Sequence, residues 1–251
     1  MKLYGLIGFP LSHSFSQKYF TEKFEKEHIS SCSYLNFPLE QIEGIYKIIN
    51  SSKELEGLNV TIPHKQAVIR FLDEVDATAL HIGAVNTIKI YRNGNNIKLK
   101  GFNTDAYGFK NSLSPYLKEY HKKALVLGTG GSSRAVSYVL NTLGIEVTYV
   151  SRNPSEENHV GYYETNKELI SDNLLIVNTS PLGMYPKVNA YPDIPYQFLT
   201  KKHILFDLIY NPQETIFLKN GNKMGTVTIN GLFMLHAQAE KAWEIWNDPV
   251  Q

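Results

Sequence analysis

The sequence predicts an α/β fold whose sheets are mostly parallel. Short apolar runs alternate with longer segments in which apolar residues recur at helical spacing, as in β–α–β units. A glycine-rich turn from Gly128 to Gly131 joins one such run to one such segment. The single clear antiparallel signal is a hairpin around Asn93-Gly94, a residue pair that favours a tight turn between alternating strands.

The first half of the chain reads as strands and amphipathic helices in alternation. Tyr19, Phe20 and Phe24 stand at helical spacing, and Pro63 suits the first turn of a helix. The expected elements are strands 2–9, 33–37 and 57–62, helices 16–28, 39–50 and 63–72, and hairpin strands around residues 88–90 and 97–99. The pattern changes after the hairpin, which places a domain boundary near residues 102–122.

From Lys123 onward the pattern is strictly strand, helix, strand. The expected elements are strands 124–127, 146–150, 174–178, 204–208 and 227–229, and helices 132–143 and 232–246. The last helix repeats apolar residues such as Leu235, Ala242 and Trp246 along a wide stripe. Periodicity alone leaves open whether this helix packs on the second domain or returns to the first.

Composition excludes several classes of protein. With 251 residues, 43% of them hydrophobic, the chain can form one large domain or two small ones. The net charge of +1, without a basic cluster, argues against nucleic acid or an anionic membrane surface as a partner. Cys32 is the only cysteine, so we expect neither an internal disulfide nor a metal site. The first residues do not resemble a signal peptide, and no apolar run approaches the roughly 18 residues of a membrane helix. These features predict a cytoplasmic protein.

The glycine-rich turn has the context that a dinucleotide site needs, because it follows a strand and opens a helix. Gly128 permits the tight turn, and Gly130 lets the backbone approach a pyrophosphate at the helix N-terminus. The third position of the G-x-G-x-x-G pattern is Ser133 instead of glycine. The alternative interpretation is a glycine-rich turn without a ligand.

The next strand ends in the stretch Tyr149-Val150-Ser151-Arg152-Asn153. Sites for NAD usually carry an acidic residue there, which binds the ribose hydroxyls, whereas a guanidinium matches a 2′-phosphate. Arg152 therefore favours NADP over NAD. The alternative is a solvated loop arginine.

Polar residues gather where the strands of the first half end, and in open α/β sheets ligands bind at such ends. Hydroxyl and amide groups there suit a small polyhydroxylated substrate. The alternative is that several of these residues are only helix caps or turn residues. Lys65 falls in the first turn of its expected helix, where the macrodipole disfavours a cation, although it could simply reach solvent. The residues in question are Ser14, Ser16, Asn59, Thr61, Lys65, Asn86, Thr104 and Asp105.

An ordered set of motifs resembles the shikimate dehydrogenase family along nearly the whole chain. In the first half it consists of G-x-P-x-x-H-S-x-S from Gly8, N-V-T-I-P-H-K from Asn59, G-A-V-N-T from Gly83 and N-T-D from Asn103. In the second half it consists of G-T-G-G-S-S-R from Gly128, S-R-N from Ser151, N-T-S-P-L-G-M from Asn178, D-L-I-Y-N-P-x-x-T from Asp207 and N-G-L-x-M-L-x-x-Q-A from Asn230. No single motif is specific, but the ordered set is.

The resemblance implies an oxidoreductase that uses NADPH to reduce 3-dehydroshikimate reversibly to shikimate, on the route to chorismate and aromatic amino acids. It also implies two domains. The first, residues 1–104 with about 232–251, would bind shikimate and include the returning C-terminal helix. The second, residues 105–231, would be a Rossmann domain for NADP. The chain would act as a monomer or a homodimer, with no nucleic acid or membrane as partner.

The resemblance also implies roles for individual residues. Lys65 and Asp105 correspond to the family's catalytic pair. Asp105 would also contact the substrate. The other substrate contacts would come from Ser14, Ser16, Asn59, Thr61, Asn86, Tyr210 and Gln238. The cofactor contacts would come from Gly128, Gly130, Gly131, Ser132, Ser151, Arg152, Asn153, Thr179, Ile209, Gly231 and Met234.

The chain departs from the family at a few positions and leaves other functions open. Gln17 follows Ser16 where proline is common, Tyr19-Phe20 replaces His-Asn, Ser132 replaces alanine, and S-R-N replaces N-R-T. A dehydrogenase that also takes quinate, and that could use NAD, is the nearest alternative. A ligand-binding regulatory protein and a reductase for an unrelated ketone on the same fold are the others.

Overall fold

The protein consists of two compact α/β units, one formed by Met1–Thr104 with Ala239–Gln251 and the other by Asp105–Gln238. The structure is a computed structural model and describes residues 1–11, 14–94, 96–154 and 156–249. Each unit is built on a six-stranded sheet with helices packed against it. The predicted α/β class with mostly parallel strands is confirmed. No helix in the described part of the chain is long and apolar enough to cross a membrane.

The first unit has a mixed sheet in the order β2-β1-β3-β5-β6-β4. Its elements are β1 (Lys2–Gly8), α1 (Phe15–Lys26), β2 (Cys32–Pro38), α2 (Ile45–Ser51), β3 (Leu55–Val60), β4 (Glu74–Val75), α3 (Ala77–Ile82), β5 (Thr87–Asn93) and β6 (Asn96–Phe102). Strands β1, β2 and β3 are parallel, and β5 runs antiparallel to both β3 and β6, so the predicted hairpin is confirmed. The carboxyl ends of β1, β2, β3 and β6 therefore meet the amino end of β5 at one edge of the sheet.

The predicted helix over residues 63–72 is wrong. Only Ala67–Phe71 is helical, as a short 3₁₀ segment. The Lys65 carbonyl accepts a hydrogen bond from the Val85 amide at 2.7 Å, so it is taken up by another segment instead of by the next helical turn. The His64 side chain is buried and bonds to backbone after β2, which fixes the same stretch from its other side.

The C-terminal helix, α8 (Leu232–Asn247), ends in the core of the first unit. The Trp246 ring stacks on Tyr4 with centroids 4.8 Å apart, and its indole N–H donates to the Ile88 carbonyl at 3.0 Å. Gly57 leaves room for this ring, because a Cβ there would lie 2.2 Å from the indole nitrogen. The predicted return of the C-terminal helix to the first domain is confirmed.

The second unit has a fully parallel sheet in the order β12-β11-β10-β7-β8-β9. Its strands are β7 (Lys123–Leu127), β8 (Glu146–Ser151), β9 (His159–Gly161), β10 (Leu175–Asn178), β11 (Ile204–Asp207) and β12 (Val227–Ile229). Its helices, besides the start of α8, are α4 (Thr104–Leu113), α5 (Gly131–Thr142), α6 (Lys167–Asp172) and α7 (Ile216–Lys223). This is the doubly wound Rossmann order, whose direction of winding reverses between β7 and β10. The predicted Rossmann architecture is confirmed.

Candidate active site

A continuous row of hydrogen-bonded polar side chains crosses the edge of the first sheet. We call it the polar ladder, and it consists of Ser16, Tyr34, Asn59, Thr87, Asn86 and Thr104. The Tyr34 hydroxyl donates to Asn59 Oδ1 at 2.8 Å and also hydrogen-bonds to Ser16. Asn59 Nδ2 donates to Thr87 Oγ1 at 3.2 Å. The ladder thus joins two predicted substrate positions, Ser16 and Asn59, through a tyrosine that the sequence did not single out.

Asn86 forms the other end of the ladder. Its Oδ1 accepts a hydrogen bond from the Thr104 amide at 2.7 Å, and its Nδ2 donates to Thr104 Oγ1 at 3.0 Å. Its backbone carbonyl accepts from the Val60 amide at 2.8 Å. The side chain therefore satisfies the first amide of α4, and the backbone of Asn86 ties the ends of β3, β5 and β6 together. Asn86 is buried in this framework, which a simple turn residue would not be.

The Ser14 hydroxyl has the surroundings of a ligand contact. Ser14 occupies the N-cap position of α1, but its side chain makes no capping bond. Its Oγ is buried and has no hydrogen-bond partner among the described residues. Ser16 lies inside the helix, so neither serine caps it, contrary to the cap alternative. Two further residues of this motif, Ser12 and His13, lie outside the described residues.

Thr61 and Lys65 follow β3 at the same edge. The Thr61 amide donates to the Ile7 carbonyl at 2.9 Å, and a Cβ at Gly8 would lie 2.4 Å from Thr61 Cγ2. The ends of β1 and β3 are therefore packed too closely for any side chain at position 8. Because no α-helix begins at residue 63, Lys65 does not lie in a first helical turn, and no helix macrodipole disfavours its charge there. Lys65 instead lies half-buried in a turn whose backbone is held by Val85.

Asp105 and Gln238 are brought together where two helices of the second unit cross. Asp105 is 3% exposed and lies in the first turn of α4, where the macrodipole favours a carboxylate. One turn later, a Cβ at Gly108 would lie 2.5 Å from the Met234 carbonyl and 3.3 Å from Gln238 Cβ. This contact puts Gln238 beside the turn that carries Asp105. Thr104 and Asp105 are the first two residues of the helix rather than its cap.

The glycine-rich turn leaves open space at the start of α5. Gly128 has a φ of +112°, and a Cβ there would lie 3.0 Å from Thr179 Oγ1. No atom of the described residues other than immediate neighbours lies within 4 Å of a Cβ built at Gly130 or Gly131, so this part of the chain leaves room for an anion at the helix N-terminus. Ser133, at the third glycine position, is buried and donates to the Gly130 carbonyl at 2.5 Å, which explains how the departure is accommodated. The half-buried Ser132 lies between Gly131 and Ser133.

The end of β8 presents a buried hydroxyl next to an exposed cation. Ser151 Oγ is buried and lacks a hydrogen-bond partner in the described part of the chain. Arg152 and Asn153 follow it and are exposed, and Arg152 forms no salt bridge with a described residue. Tyr162 follows β9 next to them; burial raises the pKa of its hydroxyl, while the Arg152 charge lowers it. The arrangement suits an anionic group bound beside Ser151.

Asp207, at the end of β11, organises the neighbouring loops. Its carboxylate accepts hydrogen bonds from Asn178 Nδ2 at 3.0 Å, the Ile209 amide at 3.1 Å and Thr215 Oγ1 at 2.6 Å. Burial raises the pKa of Asp207 to about 6, although these three bonds act in the opposite direction. Tyr210 comes soon after in the chain, and burial raises the pKa of its hydroxyl as well.

The start of α8 packs on this loop. A Cβ at Gly231 would lie 2.0 Å from the Leu208 carbonyl, so only glycine fits. The Gly231 amide donates to the Ile209 carbonyl at 3.0 Å, and Met234 is buried one turn later. Thr179, at the end of β10, donates to the Leu127 carbonyl at 2.9 Å. The predicted cofactor positions thus converge at the carboxyl edge of the second sheet.

Tyr34 and Asp207 were not predicted as site residues, although each carries a signal. Tyr34 occupies an inward position of an alternating strand, where a hydroxyl needs a partner. Asp207 is an ionisable residue that ends a continuous apolar run. Both signals mark buried polar groups, which are functional less often than they are structural.

Comparison with known proteins gives consistent matches. Residues 6–88 match the family model described as the shikimate dehydrogenase substrate binding domain. The chain is 39% identical over 265 residues to a shikimate dehydrogenase (NADP(+)) from Methanococcus vannielii, an alignment that covers 97% of this chain and 90% of that relative.

Solved structures are similar along the whole chain. The shikimate 5-dehydrogenase from Thermus thermophilus, in complex with NADP(H) and shikimate, matches with a TM-score of 0.85 and 30% identity over 100% of this chain and 95% of that one. The quinate dehydrogenase from Corynebacterium glutamicum, in complex with NAD, matches with a TM-score of 0.85 and 27% identity over 99% and 94%.

Proposed function

The chain belongs to the shikimate dehydrogenase family, and on that premise we propose that it catalyses the reversible, NADPH-dependent reduction of 3-dehydroshikimate to shikimate. This is the step of the shikimate pathway that precedes the later conversions to chorismate and aromatic amino acids. One observation carries the proposal. Outside α8, the predicted substrate and cofactor positions lie at strand ends of the two sheets or in the loop and first helical turn that follow one, where open α/β sheets bind ligands.

We propose that the first domain binds shikimate. The Ser14 hydroxyl, buried without a partner among the described residues, offers a donor to the substrate carboxylate, and Ser16 lies two residues further along the chain. Asn59, Thr61 and Asn86 supply amide and hydroxyl groups for the ring hydroxyls, and Tyr210 and Gln238, which lie outside this domain, are the remaining proposed contacts. The polar ladder supports this role, because it holds Asn59 and Asn86 in fixed orientations before any ligand arrives. Fixed polar groups lose less entropy on binding than mobile ones.

The second domain has the features that NADP needs. Gly130 and Gly131 leave the N-terminus of α5 open to a pyrophosphate. Ser151 offers a 2′-phosphate a buried hydroxyl that has no partner among the described residues, and Arg152 offers an exposed guanidinium, with Asn153 next to them. NADPH, when bound, supplies the hydride. The remaining positions near it are Gly128, Ser132, Thr179, Ile209, Gly231 and Met234.

We propose that Lys65 and Asp105 handle the proton. The ketone oxygen becomes an alkoxide as the carbon is reduced, and it then needs a proton. Lys65 donates that proton, and Asp105 acts with it; in the reverse direction the same pair removes the proton from the alcohol. A second role for Lys65 is to stabilise the developing negative charge without transferring a proton. Both roles need a cation at the reacting oxygen, and the hydrogen bond from the Val85 amide to the Lys65 carbonyl supports a fixed position for this residue.

Quinate oxidation with NAD is the second candidate, favoured by the similarity to the Corynebacterium glutamicum quinate dehydrogenase. Quinate has an extra hydroxyl on a saturated ring, so a small change in a pocket can admit it. Arg152 argues for NADP instead, because a guanidinium at this position matches a 2′-phosphate. The Ser14 and Ser16 pair agrees with the shikimate family motif, which supports the first proposal.

The test is a steady-state assay that follows NADPH absorbance, with shikimate and quinate each paired with NADP and NAD. We expect fast turnover only with shikimate and NADP. Comparable turnover of quinate with NAD would favour the second candidate. If neither substrate is oxidised, calorimetry with shikimate and NADP distinguishes a binding protein without turnover from a reductase for a different ketone.

We also propose that the protein works in the cytoplasm as a monomer or homodimer. The lone Cys32 is unpaired, as expected in a reducing compartment. Cell fractionation and light scattering would test the location and the oligomeric state, respectively.

A further inference from the structure

Tyr34 is a buried tyrosine that contacts two of the proposed substrate residues. It is 4% exposed, and its ring stacks on Phe20 with centroids 4.6 Å apart and an angle of 13° between the planes. Its hydroxyl donates to Asn59 Oδ1 at 2.8 Å and hydrogen-bonds to Ser16. The ring is thus fixed by packing, and the hydroxyl lies at the point where β2, β3 and the start of α1 meet.

These hydrogen bonds determine how the Asn59 amide is oriented. Asn59 Nδ2 lies 3.3 Å from the Asn86 carbonyl oxygen, which can only accept, so the nitrogen must be on that side. The second Nδ2 hydrogen is directed to Thr87 Oγ1 at 3.2 Å. The Tyr34 hydroxyl donates a hydrogen bond to one lone pair of Oδ1. What remains for a ligand is the second lone pair of Oδ1, which accepts a hydrogen bond and cannot donate one.

These hydrogen bonds determine which ligand group the Asn59 side chain can bind. An acceptor recognises a substrate hydroxyl, which carries a hydrogen, and rejects a bare carbonyl oxygen. If the amide turned over, Nδ2 would face the tyrosine, and Oδ1 would face the Asn86 carbonyl and repel it. Burial raises the pKa of Tyr34 well above its usual range, so its hydroxyl keeps its hydrogen and remains a donor to Asn59.

We propose that Tyr34 is a positioning residue of the active site, which holds Asn59 with its carbonyl oxygen available to a substrate hydroxyl. The inference rests on the proposed function, because it concerns the same substrate pocket. It adds a residue that is not expected to touch the substrate and assigns Asn59 the role of an acceptor.

The test replaces Tyr34 by phenylalanine, which removes the hydroxyl and keeps the ring on Phe20. Loss of one buried hydrogen bond should raise the KM for shikimate about five- to tenfold. The kcat should change less than about twofold, because the hydrogen bond acts equally on the ground and transition states. Tyr4→Phe is the matched control. Tyr4 is fully buried in the same sheet, but its hydroxyl has no hydrogen-bond partner among the described residues.

A double-mutant cycle separates positioning from a general effect on folding. If Tyr34 acts through Asn59, adding Tyr34→Phe to Asn59→Ala should raise KM less than about twofold further. Equal KM values for wild type and Tyr34→Phe, or full additivity in the cycle, would overturn the inference and leave the proposed function intact. A Tyr4→Phe variant whose KM rises as much as that of Tyr34→Phe would also overturn it. A wild-type protein that does not oxidise shikimate would overturn the proposed function, and this inference with it. Should Tyr34→Phe fail to fold, shikimate titration of Asn59→Ala against wild type takes its place, and equal affinities would overturn the inference.

Discussion

Replacing Asp207 by asparagine should remove a pH dependence from the stability of the protein. The carboxylate is fully buried and accepts three hydrogen bonds, from Asn178, Ile209 and Thr215. Asparagine keeps the shape and one acceptor oxygen, which can still accept from Asn178 and Ile209. Its amide nitrogen would face Thr215, whose hydroxyl can turn to accept. The substitution therefore removes the ionisation with little change in packing.

The size and sign of the effect follow from the pKa of Asp207, which burial raises from 3.8 to about 6. A raised pKa means that the folded state binds the proton more tightly than the unfolded state. The stabilisation is complete below the unfolded pKa of 3.8 and is lost as the pH rises through about 6. The shift corresponds to about 3 kcal/mol in total, of which about 2 kcal/mol is lost between about pH 4.5 and 7.

Denaturant titrations of both proteins at several pH values measure this directly. The free energy of unfolding of wild type minus that of Asp207→Asn should fall by about 2 kcal/mol from about pH 4.5 to 7, while all other titrating groups cancel in the difference. A carbon NMR titration of the Asp207 carboxyl gives an independent midpoint. Parallel pH profiles for the two proteins, together with a midpoint near that of a free aspartate, would refute the argument that burial outweighs the three hydrogen bonds.

Three further predictions concern the proposed reaction. Lys65→Ala should lower kcat by about a hundredfold or more, with little change in KM for shikimate, since the proton donor acts in the transition state; a near-normal kcat would remove Lys65 from the mechanism. Arg152→Ala should raise the KM for NADP about ten- to a hundredfold and leave that for NAD unchanged, because only NADP carries the 2′-phosphate; equal losses for both cofactors would point to misfolding. Ser151→Ala should raise the stability of the ligand-free protein by about 1 kcal/mol in thermal denaturation and weaken NADP binding in calorimetry. A variant that is less stable than wild type would contradict the assignment of an unpaired hydroxyl.

The second half of the fold could be predicted because its strands are buried on both faces. Runs such as residues 124–127 and 204–208 are almost continuously apolar, which is typical of parallel strands between two helical layers. The helix expected over residues 63–72 failed for a tertiary reason, because the Lys65 carbonyl is bonded to Val85. No periodicity within residues 63–72 reports a bond to a segment twenty residues away.

Short helices were missed although some carried capping signals. In α3, the Asp76 side chain accepts hydrogen bonds from the Thr78 and Ala79 amides, and Gly83 ends the helix with a φ of +68°. Asp at the N-cap and Gly after the last turn mark a helix even when it is too short to show a period. Gly128, Gly130 and Arg152 could be singled out from the residues themselves, and most other site roles came from the family resemblance. The polar ladder could not be foreseen, because it depends on which strands become neighbours.

Buried hydroxyls that bond to backbone serve the fold, whereas buried hydroxyls that lack a partner among the described residues are candidates for binding a ligand. Ser133 and Thr179 lie at the same sheet edge as Ser151, and both donate to nearby backbone carbonyls. Ser14 and Ser151 do not, and each has a buried oxygen without a partner among the described residues, at a cost of about 1–3 kcal/mol. Position decides the interpretation, because Ser137 also lacks a partner among the described residues but lies in the middle of a helix. Ser151 lies at a strand end next to an exposed cation and Ser14 at the N-cap of α1, where a ligand can supply the missing partner. A bound ligand then removes the free-energy cost of the buried, unbonded hydroxyl. Removing such a hydroxyl should therefore stabilise the ligand-free protein and weaken its complex.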